Sequence, residues 1–131
     1  MPNILIEYSD NLEFDIRELL ARLHEEMAQI ETIRMKGIKS RAIRHSEYRI
    51  ADGYEGYGFV FLDMMIREGR PRDLQEKIAQ TGMAILEETF APHKEHGYVA
   101  LAVNVRELFN GLALNNNNIP LNGVDENGVP K

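Results

Sequence analysis

The stretch Tyr57-Gly58-Phe59-Val60-Phe61-Leu62-Asp63-Met64-Met65-Ile66 is almost continuously apolar and rich in aromatic residues. Such a run reads as a strand buried on both faces. After it, Leu74, Ile78, Gly82, Ile85 and Leu86 recur at helical spacing, and Pro92 marks the expected end of that helix because proline cannot continue the hydrogen-bond ladder. A last strand is expected from Tyr98 to Arg106. The same order precedes the central run. Ile4, Ile6 and Tyr8 alternate with Asn3, Leu5 and Glu7 as a strand. Ile16, Leu19, Leu20, Leu23, Met27 and Ile30 then place one apolar stripe on a helix, in a segment closed by Gly37. Asp15 with Glu18 forms a capping-box-like start, and Asn11 is an equally good N-cap. Ile38 to His45 reads as a strand in which Lys39 and Arg41, two residues apart, share a face.

One strand-helix-strand unit is thus used twice, with halves at about 1–50 and 54–110 of a single domain over 1–114. The fold class is α+β: a four-stranded sheet with two helices on one face. The other, apolar face is left uncovered in a monomer, which predicts burial against further copies of the chain. Gly53, Gly56 and Gly58 lie between two strands and do not open a helix, so they read as hairpin and bulge glycines rather than a dinucleotide fingerprint. Residues 115–131, with four consecutive asparagines, form an extended tail or an arm that packs on a neighbour.

Composition narrows the function classes. Acidic residues outnumber basic ones 21 to 15, for a net charge of -6, which argues against a sequence-independent grip on nucleic acid or an anionic membrane. The absence of cysteine excludes a disulfide framework, a thiolate zinc site and a cysteine nucleophile. The amino terminus lacks the basic and apolar regions of a secretory signal, and Val99 to Val103 is too short to span a bilayer, so a cytoplasmic protein is expected.

Pro2 is the first candidate site residue. Removal of Met1 would expose a secondary amine whose burial among apolar groups, or near cations, lowers its pKa toward that of a useful base; the alternative is an incidental proline. The second candidate is the turn Ile66-Arg67-Glu68-Gly69-Arg70-Pro71-Arg72-Asp73-Leu74. With Pro71 at the first helical position, Arg70 falls at the N-cap, where guanidinium and helix dipole together suit a carboxylate; the alternative is a solvated charged loop. Arg34, Lys36, Lys39, Arg41, Arg44 and Arg49, with Glu47 as the only acid among them, suggest either a site for a small anion or one solvated strand face. His93 and His96 lack a third ligand, and histidine at a helix end is explained by the dipole, so no metal site is expected.

Met1-Pro2, Glu7-Tyr8-Ser9-Asp10-Asn11, Gly37-Ile38-Lys39-Ser40-Arg41, Ala51-Asp52-Gly53, Gly69-Arg70 and Asn116-Asn117 together resemble the 5-carboxymethyl-2-hydroxymuconate isomerases of the tautomerase superfamily, over roughly residues 1–119. The resemblance implies a homotrimer with its sheets facing inward, no cofactor, and enol-keto tautomerisation of a small anionic substrate in aromatic-acid breakdown. It places the catalytic amino-terminal proline on Pro2 and a catalytic arginine on Arg70. The family's other arginine falls on Lys39, which keeps the charge and loses the planar fork. Arg41, on the same strand face, is a second-tier substrate-binding candidate. Two other readings stay open: a tautomerase-type enzyme with a different anionic substrate, and a non-catalytic trimeric binding module on the same fold.

Overall fold

The computed structural model describes residues 2–123; Met1, and with it the question of its removal, and the tail from 124 onward lie outside the described residues. The elements in chain order are β1 (Asn3–Ser9), α1 (Ile16–Met27), β2 (Lys39–His45), β3 (Tyr57–Arg67), α2 (Arg72–His96) and β4 (Tyr98–Leu108). The sheet order is β2-β1-β3-β4. β1 runs parallel to β2, β3 parallel to β4, and the two units meet at an antiparallel β1–β3 seam in which Ile6 faces Leu62. Both helices pack on one side.

The core follows from alternation. Ile4 and Ile6 of β1 and Val60, Leu62, Met64 and Ile66 of β3 are buried on the helix side. They meet Leu19, Leu23 and Met27 of α1 and Ile78, Ile85, Leu86 and Phe90 of α2. Phe14 bridges Tyr8 and Phe90 in edge-to-face contacts with centroids 4.9 and 4.8 Å apart, a geometry the ring quadrupoles favour.

Several expectations need correction. β3 is not buried on both faces: Phe59, Phe61 and Met65 are half-buried, because among the described residues no layer covers the second face. Asp15, not Asn11, caps α1, its carboxylate accepting from the Glu18 amide at 3.1 Å; the Asn11 amide donates instead to the Tyr57 carbonyl at 2.7 Å. α1 stops at Met27, and Ile30 is buried from a turn beyond it. Gly37 closes a short 3-10 turn, Met35–Gly37.

Pro92 does not end α2, which continues to His96. The missing N–H would have bonded the Glu88 carbonyl; both residues are exposed, so water can serve that carbonyl and the ring meets no neighbouring layer. The connection from β2 to β3 is not a hairpin, since β1 lies between these strands. Gly53 takes φ +87° in a turn closed on the Ile50 carbonyl, and Gly58 lies within β3 against Leu12. Pro71 is the cap residue of α2 and Arg70 stands one position before it, so the Arg70 side chain does not serve as N-cap.

Candidate active site

The topology gathers one set of strand ends. The starts of β1 and β2 and the ends of β3 and β4 lie at the same margin of the sheet, because β1 and β3 are antiparallel while each outer strand follows its inner neighbour. There the turn after α1, the 3-10 turn, the β3–α2 turn and the segment after β4 enclose a cleft of about 390 Å³. Its wall is formed by Thr32, Arg34, Lys36, Gly37, Lys39, Arg67, Arg70, Asn115 and Asn117. Among the described residues no carboxylate lines it.

Arg70 is held by neutral groups. Its Nε donates to the Thr32 hydroxyl at 2.8 Å, Nη2 to the Thr32 carbonyl at 3.3 Å and Nη1 to the Arg67 carbonyl at 3.3 Å. The Gln75 side chain secures the main chain, donating to the Arg70 carbonyl at 2.8 Å. Burial pushes the Arg70 guanidinium below its ordinary range, since desolvation disfavours a charge that no anion offsets. A carboxylate placed in the cleft would supply that missing counter-charge. Arg34, Lys36 and Lys39 form no ion pair among the described residues. Among the described residues the Arg67 side chain reaches only the Ala113 carbonyl, at 3.5 Å.

The segment after β4 is tied over this margin. The Asn117 amide nitrogen donates to the Lys36 carbonyl and its oxygen accepts from the Ile119 amide, both at 2.8 Å. The Glu68 carboxylate accepts from the Asn110 amide at 3.0 Å. Asn115 is thereby carried into the cleft wall as a neutral hydrogen-bonding group.

The residues singled out in the sequence are distributed as follows. Lys39 and Arg70 share the cleft. Pro2 is buried beside it, its carbonyl accepting from the Lys39 amide at 3.2 Å. Arg41 shares the strand face of Lys39 but lies outside the wall, opposite Leu5 of β1. The basic stretch divides: Arg34, Lys36 and Lys39 enter the cleft, while Arg44 and Arg49 donate to the carbonyls of Asp10 and Asp52. His93 donates through Nε2 to the Glu13 carbonyl at 2.7 Å, and among the described residues no group of three His, Cys, Asp or Glu is placed to hold a metal. Thr32 was not marked by any sequence signal, and Asn115 was marked only as the start of the asparagine run, with no site role. Arg67 lay in the quoted turn, where its charge was the only clue.

A second cleft, of about 430 Å³, lies at the opposite end of β3 and β4, against Ile50, Tyr57, Tyr98 and Val99. Lys94 is its one charged side chain among the described residues. Its apolar wall offers little to an anion. The cationic cleft is the better candidate on chemistry.

A paired βαβ sheet with this cleft at its margin defines the tautomerase fold class. The sequence pattern of the 5-carboxymethyl-2-hydroxymuconate isomerase family matches residues 2–121. A 5-carboxymethyl-2-hydroxymuconate Delta-isomerase from Escherichia coli is 27% identical over 121 residues, 91% of this chain and 96% of its own. The crystal structure of a 5-carboxymethyl-2-hydroxymuconate isomerase from Deinococcus radiodurans R1 superposes with a TM-score of 0.84 at 31% identity, covering 89% of this chain and 90% of that one. A further structure, of a 5-carboxymethyl-2-hydroxymuconate delta-isomerase, gives 0.75 at 23% identity over 88% of this chain and 87% of its own, which speaks for the fold alone. The chain belongs to the 5-carboxymethyl-2-hydroxymuconate isomerase family. It is an isomerase.

Proposed function

We propose that the protein is a cofactor-independent enol-keto tautomerase acting on 5-carboxymethyl-2-hydroxymuconate or a similar unsaturated hydroxy di- or tricarboxylate, with the amino-terminal Pro2 as general base once Met1 is removed. The observation that carries this reading is the cleft beside Pro2, which sets Arg34, Lys36, Lys39, Arg67 and Arg70 together with no acid among them. In a chain of net charge -6 such a concentration selects a small polyanion.

The neutral Pro2 nitrogen takes the enol proton, the electron pair moves into the conjugated system as a dienolate, and the proton is returned to a distant carbon. No net proton is gained or lost. Arg70 and Lys39 hold carboxylates and stabilise the charge that spreads between the two transfers, which lowers the barrier where that charge is larger than in the ground state. Arg41 falls outside the cleft of its own chain, so its part in substrate binding requires a site completed by another copy. We place that site in a homotrimer of single-domain chains.

Lys39 supports a second reading. An ammonium is a point charge without the guanidinium fork, so a different arrangement of carboxylates fits the same cleft.

The test is ultraviolet ketonisation of 5-carboxymethyl-2-hydroxymuconate by protein whose intact mass shows loss of Met1. Conversion well above the buffer rate is expected, and Pro2→Ala should lower kcat by about 10² to 10⁴-fold, the range for removal of a general base. Conversion at the buffer rate would sink the named substrate. Full turnover by Pro2→Ala would sink the proline base.

A further inference from the structure

Thr32 adopts a backbone conformation that its side chain disfavours. Its φ is 71°, in the left-handed region where a β-branched residue is a steric outlier. It is the third residue of a turn closed by the Ile33 amide on the Ile30 carbonyl at 3.2 Å. With a positive φ at this place, a turn favours glycine or asparagine. Core packing does not explain a threonine there, because Thr32 is exposed. Its neighbours Ile30 and Ile33, 4% and 5% exposed, anchor the turn to the core from either side.

Both of its oxygens face Arg70. The hydroxyl accepts from Nε at 2.8 Å and the carbonyl from Nη2 at 3.3 Å. A glycine would keep the turn and the carbonyl contact but lose the hydroxyl. With the Arg67 carbonyl on Nη1, three of the five guanidinium N–H groups are used by neutral acceptors. Among the described residues, one N–H on each terminal nitrogen is left. That is the pair a carboxylate engages in bidentate fashion.

We propose that Thr32 is a positioning residue for the reaction: its strained turn is kept because the hydroxyl and carbonyl together fix the Arg70 guanidinium in the cleft, with its remaining N–H groups ready for a substrate carboxylate. This rests on the proposed role of Arg70 in holding the substrate. Strain at a site that orders a binding group is a known use of sparsely populated backbone. Preorganisation of this kind spares the substrate the ordering of a long side chain.

The test is a kinetic cycle on the Met1-free protein with Thr32→Gly, Thr32→Val, Thr32→Ser and Arg70→Ala, read as kcat and KM beside the melting temperature. Thr32→Gly relieves the backbone, so its melting temperature should be no lower than that of the wild type, yet its kcat/KM should fall by about 10-fold. Thr32→Val should fall similarly, and Thr32→Ser should recover most of the loss. Adding Thr32→Gly to Arg70→Ala should cost nothing further, since both remove one unit. Wild-type kcat/KM in Thr32→Gly, with Arg70→Ala strongly impaired, would overturn the role of Thr32 and leave that of Arg70 standing. An active Arg70→Ala would overturn both.

Discussion

Lys39 concentrates the question of how this cleft recognises an anion. It stands at the first position of β2, where its main chain is fixed by the Pro2 carbonyl, and it lines the cleft without an ion pair among the described residues. Removing a charged partner from a bound carboxylate costs about 1.5–3 kcal/mol, so Lys39→Ala should lower kcat/KM by about 10 to 100-fold. Lys39→Arg restores the fork and should hold or raise kcat/KM toward 5-carboxymethyl-2-hydroxymuconate. A loss in Lys39→Arg as large as in Lys39→Ala, measured by the same ultraviolet assay, would mean that a point charge is required and would favour a different substrate. Strand alternation was enough to place Lys39 and Arg41 on one face, and the register agrees. It was not enough to separate them, because two residues along a strand span about 7 Å, sufficient to carry Arg41 past the cleft wall. Arg70 was singled out from its turn and lines the cleft, although it stands one position before the N-cap, not at it as the sequence suggested. Its partner Thr32 was not singled out, since the contact joins residues 38 apart and a threonine with positive φ leaves no trace in a sequence pattern.

Elements, by contrast, were read well wherever burial and periodicity agreed. The stripe on α1 and the alternation in β1 both point into one core, and each is a local pattern repeated several times. The failures have local causes as well: a solvated proline near the end of α2 is no obstacle, and a glycine-rich link between β2 and β3 looks like a hairpin until a third strand fills the gap. How α1 docks on β2 is a tertiary matter. There the His24 ring lies 2.7 Å through Nε2 from the Ser40 hydroxyl, and burial pushes its pKa below the ordinary 6.5. Between the folded pKa and 6.5 the unfolded chain binds more protons than the native one, so stability rises with pH through that window. Above it the His24 contribution is complete; as pH falls through it, the contribution is lost, down to the folded pKa. Denaturant midpoints at about pH 8 and about pH 5 should therefore differ more in the wild type than in His24→Gln, which keeps a hydrogen-bonding group without a titrating one. Equal pH dependence in the two proteins would remove His24 from the linkage.

The whole molecule presents a sheet with a helix-covered face and an open one. Leu5, Phe59, Phe61 and Met65 stand half-buried on the open face. Two acids on this face have partners: Arg106 grips Asp63 through two contacts of 3.0 and 2.6 Å, and the His45 ring meets Glu7 at 2.9 Å, while Arg41 on the same face forms no ion pair among the described residues. Asp63 is 7% exposed within β3, so the Arg106 pairing meets the requirement that a buried carboxylate be satisfied. β2 and β4 each pair on one side only in the described sheet, leaving outer edges that proteins ordinarily cover. The segment beyond β4 adds Phe109, Leu112 and Leu114 at 68%, 84% and 87% exposure, large apolar side chains with no core of their own. An apolar face, unpaired edges and an apolar arm on one chain are consistent with self-association, and the proposed trimer would turn three open faces toward one another. Light scattering should then give three times the 15.0 kDa chain mass. Phe61→Asp, which places an unpaired charge at the middle of that face, should yield a smaller species with the helix and sheet signal of the wild type, because the side chain does not enter the core between sheet and helices. If the site is completed by a neighbour, turnover should fall in that variant together with the mass. A wild-type mass of one chain across the concentration range, with full activity, would show that each cleft works alone and that Arg41 has no part in it.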